Sequence, residues 1–336
     1  MEKLNIGKEY TVLWLIFLIF ILAIFLSLGY GAVKLGFSEI ATAIFSEEVT
    51  ANRQIIWNVR FPRTVAAILV GMALSLSGAI LQGIMRNPLA GPNIIGVSAG
   101  GGFFALLILI IFPQYFYLVP LGAFLGALLA TMIIYILAWK DGVMSSRLIL
   151  AGVAISSIFG AGNNALMTFY PERVSGVIGF MVGGLSAITW KDVSMVYPFI
   201  AAGVAVALLM PGNLNILLLG DDVARGLGMR VERTRLLAIV VSSLLAGAAV
   251  SVVGMLGFVG LMVPHITRLF LGSDYRYLIP GSMLMGGTIL LLCDTLARVI
   301  FAPMEIPVGI IMSSLGAPFF LYLLRKGRGH HGSKSN

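Results

Sequence analysis

Ionisable side chains that could do chemistry are scarce inside the apolar stretches of this sequence, and Asp294 is the clearest of them. An acid within a membrane-spanning stretch commonly marks a proton or ion path. Arg298 follows four residues later, so a helix would place the two side chains on one face as an ion pair. An ion-coupled transporter is expected to carry more than one such acid. The pattern therefore disfavours a proton or sodium pump.

The sequence also lacks the motifs of an ATPase or a zinc hydrolase. A P-loop needs G-x-x-x-x-G-K-[ST], and none of the seven lysines lies in that motif. There is no H-E-x-x-H, and His265 stands beside Pro264 with no second ligand nearby. We predict no catalytic, metal or cofactor site. The chain is not expected to be an enzyme, and ATP hydrolysis would belong to a separate subunit.

A charged island interrupts the apolar sequence at residues 217–235, LLLGDDVARGLGMRVERTR. It holds seven of the 36 charged residues in the 336-residue chain. The stretch GDDVARGLG predicts a short helix that Asp221 or Asp222 caps and that Gly226 or Gly228 ends. The island is either a solvated loop or a docking element for a soluble partner. Docking would use apolar anchors inside a charged rim, and the candidate anchors are Leu219, Val223, Leu227 and Met229.

The composition of the chain indicates which secondary structure must position the charged residues described above. The chain is 59% hydrophobic and 11% charged with a mean hydropathy of +1.01, whereas soluble domains carry about 25% charged residues. Backbone groups in lipid must be satisfied internally. We therefore predict an all-α polytopic membrane protein of about ten transmembrane helices. The expected spans are 11–33, 63–84, 93–112, 115–139, 145–170, 194–211, 234–256, 257–271, 278–301 and 307–324, of which 257–271 is the weakest.

The distribution of Lys and Arg predicts the orientation. With the N-terminus inside, fifteen of the 22 basic residues fall on the cytoplasmic side and seven on the other. Membrane proteins keep such residues on the cytoplasmic side. We predict N- and C-termini inside, the charged island in the cytoplasm, and location in the cytoplasmic (inner) membrane.

A faint internal repeat divides the chain. The stretch RFPRTV at 60–65 is echoed by RVERTR at 230–235, each opening a span. Five spans per half is odd, so the second half would enter the membrane inverted, as in many transporters. We predict one permease domain over residues 1–324, with inverted five-helix halves at about 11–170 and 194–324. A coupling segment at 216–230 and a disordered tail at 325–336 complete the organisation.

Five motifs in order resemble one family over nearly the whole chain. They are RFPRT (60–64), GAILQGIMRNPLAGPNIIGVSAGG (78–101), LGDDVARGLGMRVERTR (219–235), GFVGLMVPHITR (257–268) and DTLARVIFAPMEIPVGIIMSSLGAPFFLYLL (294–324). The sequence resembles the permease subunits of type II ABC importers, the FecCD family, which includes ferric-siderophore, haem and cobalamin importers. The resemblance implies a homodimeric core that binds two ABC ATPase subunits inside and one substrate-binding protein outside.

The resemblance also implies residue roles. The segment between the sixth and seventh spans would couple to the ATPase. Three arginines, Arg60, Arg63 and Arg298, match positions that pair with acidic residues of the binding protein. The fifth and tenth spans would line the translocation pathway. The coupling residues would be Gly220, Asp221, Asp222, Ala224, Arg225, Gly226, Leu227 and Gly228, and the pathway residues Asn163, Asn164, Met167, Thr168, Met312, Ser313 and Ser314.

From these features we expect an ATP-driven importer permease for an iron chelate, either a ferric siderophore or haem. Cobalamin and molybdate are alternatives on the same architecture. A stand-alone ion-coupled secondary transporter and a membrane-embedded enzyme are the alternatives from other classes. No nucleic-acid partner is expected, because the positive-inside pattern explains the net charge of +8.

Overall fold

The computed structural model describes residues 6–31, 33–46, 50–93, 96–138 and 145–328, and over these ranges the chain is helical and contains no strand. A π-helical stretch, Ile55–Arg60, leads into α4, and a 3-10 helix, Pro113–Leu118, leads into α6. The α-helices are α1 Ile6–Gly29, α2 Phe37–Phe45, α3 Ala51–Gln54, α4 Phe61–Ile84, α5 Val97–Ile111, α6 Val119–Ala138, α7 Ser145–Phe169, α8 Pro171–Val182, α9 Trp190–Leu208, α10 Pro211–Leu218, α11 Asp221–Gly226, α12 Val231–Val253, α13 Val259–Leu271, α14 Tyr275–Val299 and α15 Val308–Arg328.

The predicted spans correspond to helices of the described chain. Seven helices are long and apolar enough to cross a membrane: α1, α4 with its lead-in, α6, α7, α9, α12 and α14. Three shorter apolar helices, α5, α13 and α15, occupy the other predicted positions. The weakest expected span, 257–271, is the 13-residue helix α13. An all-α membrane protein of about ten helices is therefore confirmed.

Short helices outside these spans were not predicted. They are α2, α8 and α10, which lie between longer helices along the chain. The predicted start of the tail is wrong, because α15 continues through Arg328. Residues 329–336, with His330 and His331, lie outside the described residues.

The core is built around α4 and α12. Most of α4 is buried, and it packs against α14 and α13, while α12 packs against α6 and α5. Glycines permit the closest approaches: a Cβ at Gly71 would overlap the carbonyl of Gly286 in α14, and one at Gly78 would overlap the carbonyl of Gly260 in α13. Small residues let membrane helices meet backbone to backbone in this way.

The packing is reciprocal between the two halves of the chain. In each half the second span (α4 or α12) packs against the third and fourth spans of the other half. The repeat offset also holds locally, since α4 begins at Phe61 and α12 at Val231. Inverted halves would produce this pairing, and the inverted repeat stays a prediction.

The two ends of the bundle carry different clusters of charged side chains. At one, here called the Arg60 end, α4 begins beside the last turn of α14. At the other, the α11 end, α4 finishes near Arg86 and contacts the segment between α9 and α12.

Candidate functional site

The charged island folds as a short helix between two spanning helices, as predicted. Gly220 precedes α11 with a φ of 108°, and Gly228 follows it with a φ of 79°, a region that favours glycine. The N–H of Gly228 donates to the carbonyl of Arg225 at 2.9 Å, which closes the helix. The predicted cap is wrong: the N-cap residue is Gly220, and no side chain caps α11.

Exposed apolar side chains lie on α11 and directly beside it. The exposed fractions of Leu219, Val223 and Leu227 are 61%, 49% and 62%. Val223 lies in the helix, Leu227 follows it one turn later, and Leu219 precedes the non-helical Gly220. Ala224 is buried and faces the bundle. Gly226 is exposed, and a Cβ there would meet no atom within 4 Å, so packing inside this chain does not require a glycine at that position. The surface has the apolar centre and charged rim expected of a docking site.

The two neighbouring aspartates of α11 have different surroundings. Asp221 pairs with Arg235 of α12 at 2.6 Å and with Arg86, just beyond α4, at 3.4 Å. Burial alone would raise the pKa of Asp221, but the hydrogen bond from Arg235 and the nearby arginine charges hold that pKa below its ordinary value. The side chain of Asp222 is fully exposed and lies 3.7 Å from Arg225.

A second cluster of charges is buried at the Arg60 end. Arg63 of α4 donates to both carboxylate oxygens of Asp294 in α14, with Nε–O distances of 3.1 and 3.0 Å and an Nη2–Oδ1 distance of 2.9 Å. Its Nη1 lies 2.6 Å from Glu305. Arg298 forms the predicted ion pair with Asp294, Nε to Oδ2, at 3.2 Å. The Arg63–Asp294 pair, which the sequence did not predict, is the more extensive of the two.

The three predicted docking arginines, Arg60, Arg63 and Arg298, are buried in this structure. All three are at most 4% exposed. Arg60 donates to the carbonyls of Leu28 and Gly29, at the end of α1, and of Val33, just beyond it. Carbonyls, carboxylates and hydroxyls inside the chain bind these guanidinium groups, with Nε of Arg298 left without a hydrogen bond among the described residues. The three arginines therefore act here as braces between neighbouring segments. Their part in docking stays a prediction.

The predicted pathway residues separate into exposed and buried groups. In α7, Asn164 and Thr168 are exposed, Met167 is half-buried and Asn163 is 6% exposed. In α15, Ser313 and Ser314 are exposed, whereas Met312 is fully buried. Asn163 and Met312 therefore line no open surface in this structure. The exposed polar residues lie on helices that would otherwise contact lipid, where polar groups are disfavoured.

An apolar cavity of about 260 Å³ lies where irregular segments of the two halves meet. These segments precede α5 and α13, the third span of each half, and Asn93 Nδ2 donates to the carbonyl of Leu256 across them at 3.1 Å. Paired short helices at corresponding places in two halves point to transporter sites. The apolar runs at 93–112 and 257–271 carry that signal in the sequence. The lining residues are Leu74, Gly91, Pro92, Asn93, Leu256, Phe258, Gly260, Leu261 and Phe320.

One motif match was also missed. Residues 96–100, GVSAG, fit the G-x-S-x-G pattern of a serine nucleophile elbow. That motif requires a strand-to-helix turn, whereas Ser98 is a buried residue in the first turn of the apolar helix α5. The described residues also contain no group of three His, Cys, Asp or Glu that could hold a metal ion.

A polytopic bundle of apolar helices with a charged segment at one end has the architecture of a membrane permease. Residues 19–326 match the model of the FecCD transport family, and the chain belongs to that family. Members of this family are integral membrane permeases of ABC importers, which work with ATPase and substrate-binding proteins.

Three similar proteins illustrate the range of the family. The Fe(3+)-citrate import permease YfmE of Bacillus subtilis is 38% identical over 89% of this chain and 90% of its own length. The hemin transport permease HmuU of Yersinia pestis is 38% identical over 96% and 98%. A solved structure described as an inward-facing metal-chelate type ABC transporter is 30% identical, covers 94% of this chain and 99% of its own, and has a TM-score of 0.82.

Proposed function

We propose that this chain is the membrane-spanning permease of an ATP-driven importer for an iron chelate, a ferric siderophore or haem. The observation that carries the proposal is the α11 surface. Here Val223 on α11 and Leu219 and Leu227 at its two ends are exposed among charged residues, and the six-residue helix is too short to bury a core of its own. Such a surface suits a soluble partner that drives the transport cycle. The partner we assign to it is the ABC ATPase.

The same arrangement supports an orientation. The α11 end carries Arg86, Arg225, Arg230 and Arg233, and the positive-inside rule assigns that end to the cytoplasm. The Arg60 end then faces outward, where a substrate-binding protein would dock. Arg60 and Arg63 would act on docking through the outer segments that they hold in place.

Exposed polar residues support a second copy of the chain. Asn164 and Thr168 of α7 and Ser313 and Ser314 of α15 would be unfavourable against lipid. In a homodimer these faces of α7 and α15 would line a shared pathway. Uncharged polar groups there suit a chelate that must pass without binding tightly.

The relatives favour iron chelates as cargo, since two of them are named for ferric citrate and hemin. Cobalamin is the second candidate, because a cobalamin import permease of Halobacterium salinarum is 41% identical over 81% of this chain. Transport of radiolabelled ferric citrate, ferric hydroxamate, haem and cobalamin into proteoliposomes distinguishes them. We expect ATP-dependent uptake of one iron chelate and none of cobalamin.

The docking assignment has a direct test with a matched control. The chain is co-expressed with candidate ABC ATPase subunits, and the purified complex is quantified in detergent. Val223→Glu places a charge in the apolar centre of the α11 surface, whereas Val33→Glu places the same charge on an equally exposed valine at the Arg60 end. We expect Val223→Glu alone to lose the ATPase. Equal retention of the ATPase by both variants would refute the assignment.

A further inference from the structure

Two adjacent carboxylates in the α11 segment differ in almost every physical respect. The side chain of Asp221 is 17% exposed and is held by two arginines, whereas that of Asp222 is fully exposed. Both belong to the charged island, and because they are adjacent in the sequence, the sequence alone does not assign them different roles. Asp222 makes one long ion pair, to the exposed Arg225 at 3.7 Å. Its carboxylate is therefore more available to an outside partner than the carboxylate of Asp221, which two arginines hold at 2.6 and 3.4 Å.

Asp221 connects α11 to several spanning helices at once. Its Oδ1 lies 2.6 Å from Nη2 of Arg235, a residue of α12 that is 2% exposed. The same oxygen lies 3.4 Å from Nη2 of Arg86, which follows α4. Arg235 also interacts with Tyr135 of α6. One carboxylate thus joins the short helix to the ends of α4 and α12 and, through Arg235, to α6.

Few other inward contacts tie α11 to the bundle. Within its six residues only Ala224 is buried. The other side-chain link from α11 to α12, Arg225 to Glu232 at 3.4 Å, joins two side chains that are each 54% exposed. The preceding helix α10 has its own connection, because Asn215 Nδ2 donates to Asp274 at 2.8 Å and Asn215 Oδ1 accepts from the N–H of Tyr275. The charge-assisted bond between Asp221 and Arg235 is therefore the strongest side-chain link that α11 itself makes.

We propose that Asp221 is a positioning residue that transmits displacement of α11 to α4 and α12, while Asp222 belongs to the docking surface. This inference rests on the proposed contact between α11 and the ATPase. When the ATPase moves α11, the buried Arg235 must follow the carboxylate, because leaving a buried guanidinium without its anion is costly. Without that carboxylate, α11 still moves with the ATPase, but a smaller part of its displacement reaches α4 and α12.

The test compares Asp221→Asn with Asp222→Asn in the reconstituted complex of permease, ATPase and binding protein. Three quantities are measured: ATPase retained on purification, ATP hydrolysed per substrate imported, and unfolding temperature. We expect Asp221→Asn to retain the ATPase and to hydrolyse about tenfold more ATP per substrate, because a neutral amide replaces a charge-assisted hydrogen bond. Asp222→Asn should couple like the wild type, and Asp221→Glu should recover part of the coupling.

Arg86→Gln provides a second variant, in case Asp221→Asn lowers the unfolding temperature. The Arg86 side chain is 43% exposed, so its loss should leave the unfolding temperature unchanged and raise ATP use per substrate by a smaller factor. The inference is overturned if Asp221→Asn and Arg86→Gln both hydrolyse as much ATP per substrate as the wild type. It is also overturned if Asp221→Asn alone loses the ATPase on purification. If the wild type itself retains no ATPase and imports nothing, the proposed function fails instead.

Discussion

Replacing Asp294 by asparagine tests whether one carboxylate holds the buried arginines at the Arg60 end. Asp294 is fully buried and receives the bidentate bond from Arg63 and the ion pair from Arg298. With asparagine, Arg298 loses its ion-pair partner and Arg63 keeps only Glu305. Two buried guanidinium groups would then repel each other with little compensation.

The expected magnitude follows from this burial. Removing one partner of a buried ion pair costs about 3–5 kcal/mol. With an unfolding entropy of about 2.1 cal/mol/K per residue, the unfolding temperature should fall by about 4–7 °C. Glu305→Gln is the matched control, because the Glu305 side chain is 33% exposed, and a pair that is partly exposed to solvent contributes about 1 kcal/mol or less.

The chain supplies its own reporter for this measurement. Cys293 is the sole cysteine, adjacent to Asp294 and 3% exposed. A thiol-reactive dye should therefore label it only when α14 loosens, and labelling against temperature in detergent gives the unfolding midpoint. If the unfolding temperature falls no further in Asp294→Asn than in Glu305→Gln, Asp294 does not hold the buried arginines in place.

Three further predictions concern packing, the docking surface and pH. Gly78→Ala should lower the unfolding temperature, because its Cβ overlaps the carbonyl of Gly260 and overpacking costs about 1–3 kcal/mol; an unchanged midpoint in the dye assay would contradict this contact. Gly226→Ala should leave that midpoint unchanged, since no atom lies within 4 Å of the new Cβ, but should weaken ATPase retention on purification. The hydrogen bond from Arg276 lowers the pKa of Asp274 from 3.8 to about 2 against the opposing effect of burial. Its contribution to stability is complete above pH 3.8 and is lost as the pH falls towards 2, so Asp274→Asn should reduce the drop in unfolding temperature over that range.

Much of the fold was predictable because lipid imposes simple rules. A span must be long, apolar and helical, and a composition of 59% hydrophobic residues leaves few alternatives. Even the short helix α13 was placed correctly, since the apolar run at 257–271 is visible in the sequence. The short helices α2, α8 and α10 were missed, because segments of 8–12 residues are too short to be recognised as spans.

Side-chain partners were predictable only where they are local. The Asp294–Arg298 pair follows from four-residue spacing on one helix. Arg63 lies 231 residues from Asp294, and nothing in one sequence links positions that meet only after two helices pack. The same limit applies to Asp221, whose partners Arg86 and Arg235 lie in other elements. The sequence located the charged island correctly but could not tell its inward carboxylate from its outward one.

The glycine contacts of α4 determine where this molecule can deform. Side chains at a helix interface can exchange rotamers and let two helices slide, but backbone atoms in direct contact have no such freedom. At Gly71 and Gly78, α4 meets α14 and α13 in this second manner. These three helices should therefore behave as one stiff lever. Access to the proposed pathway would then change by rocking that lever against the more loosely packed α7 and α15, rather than by shear within it.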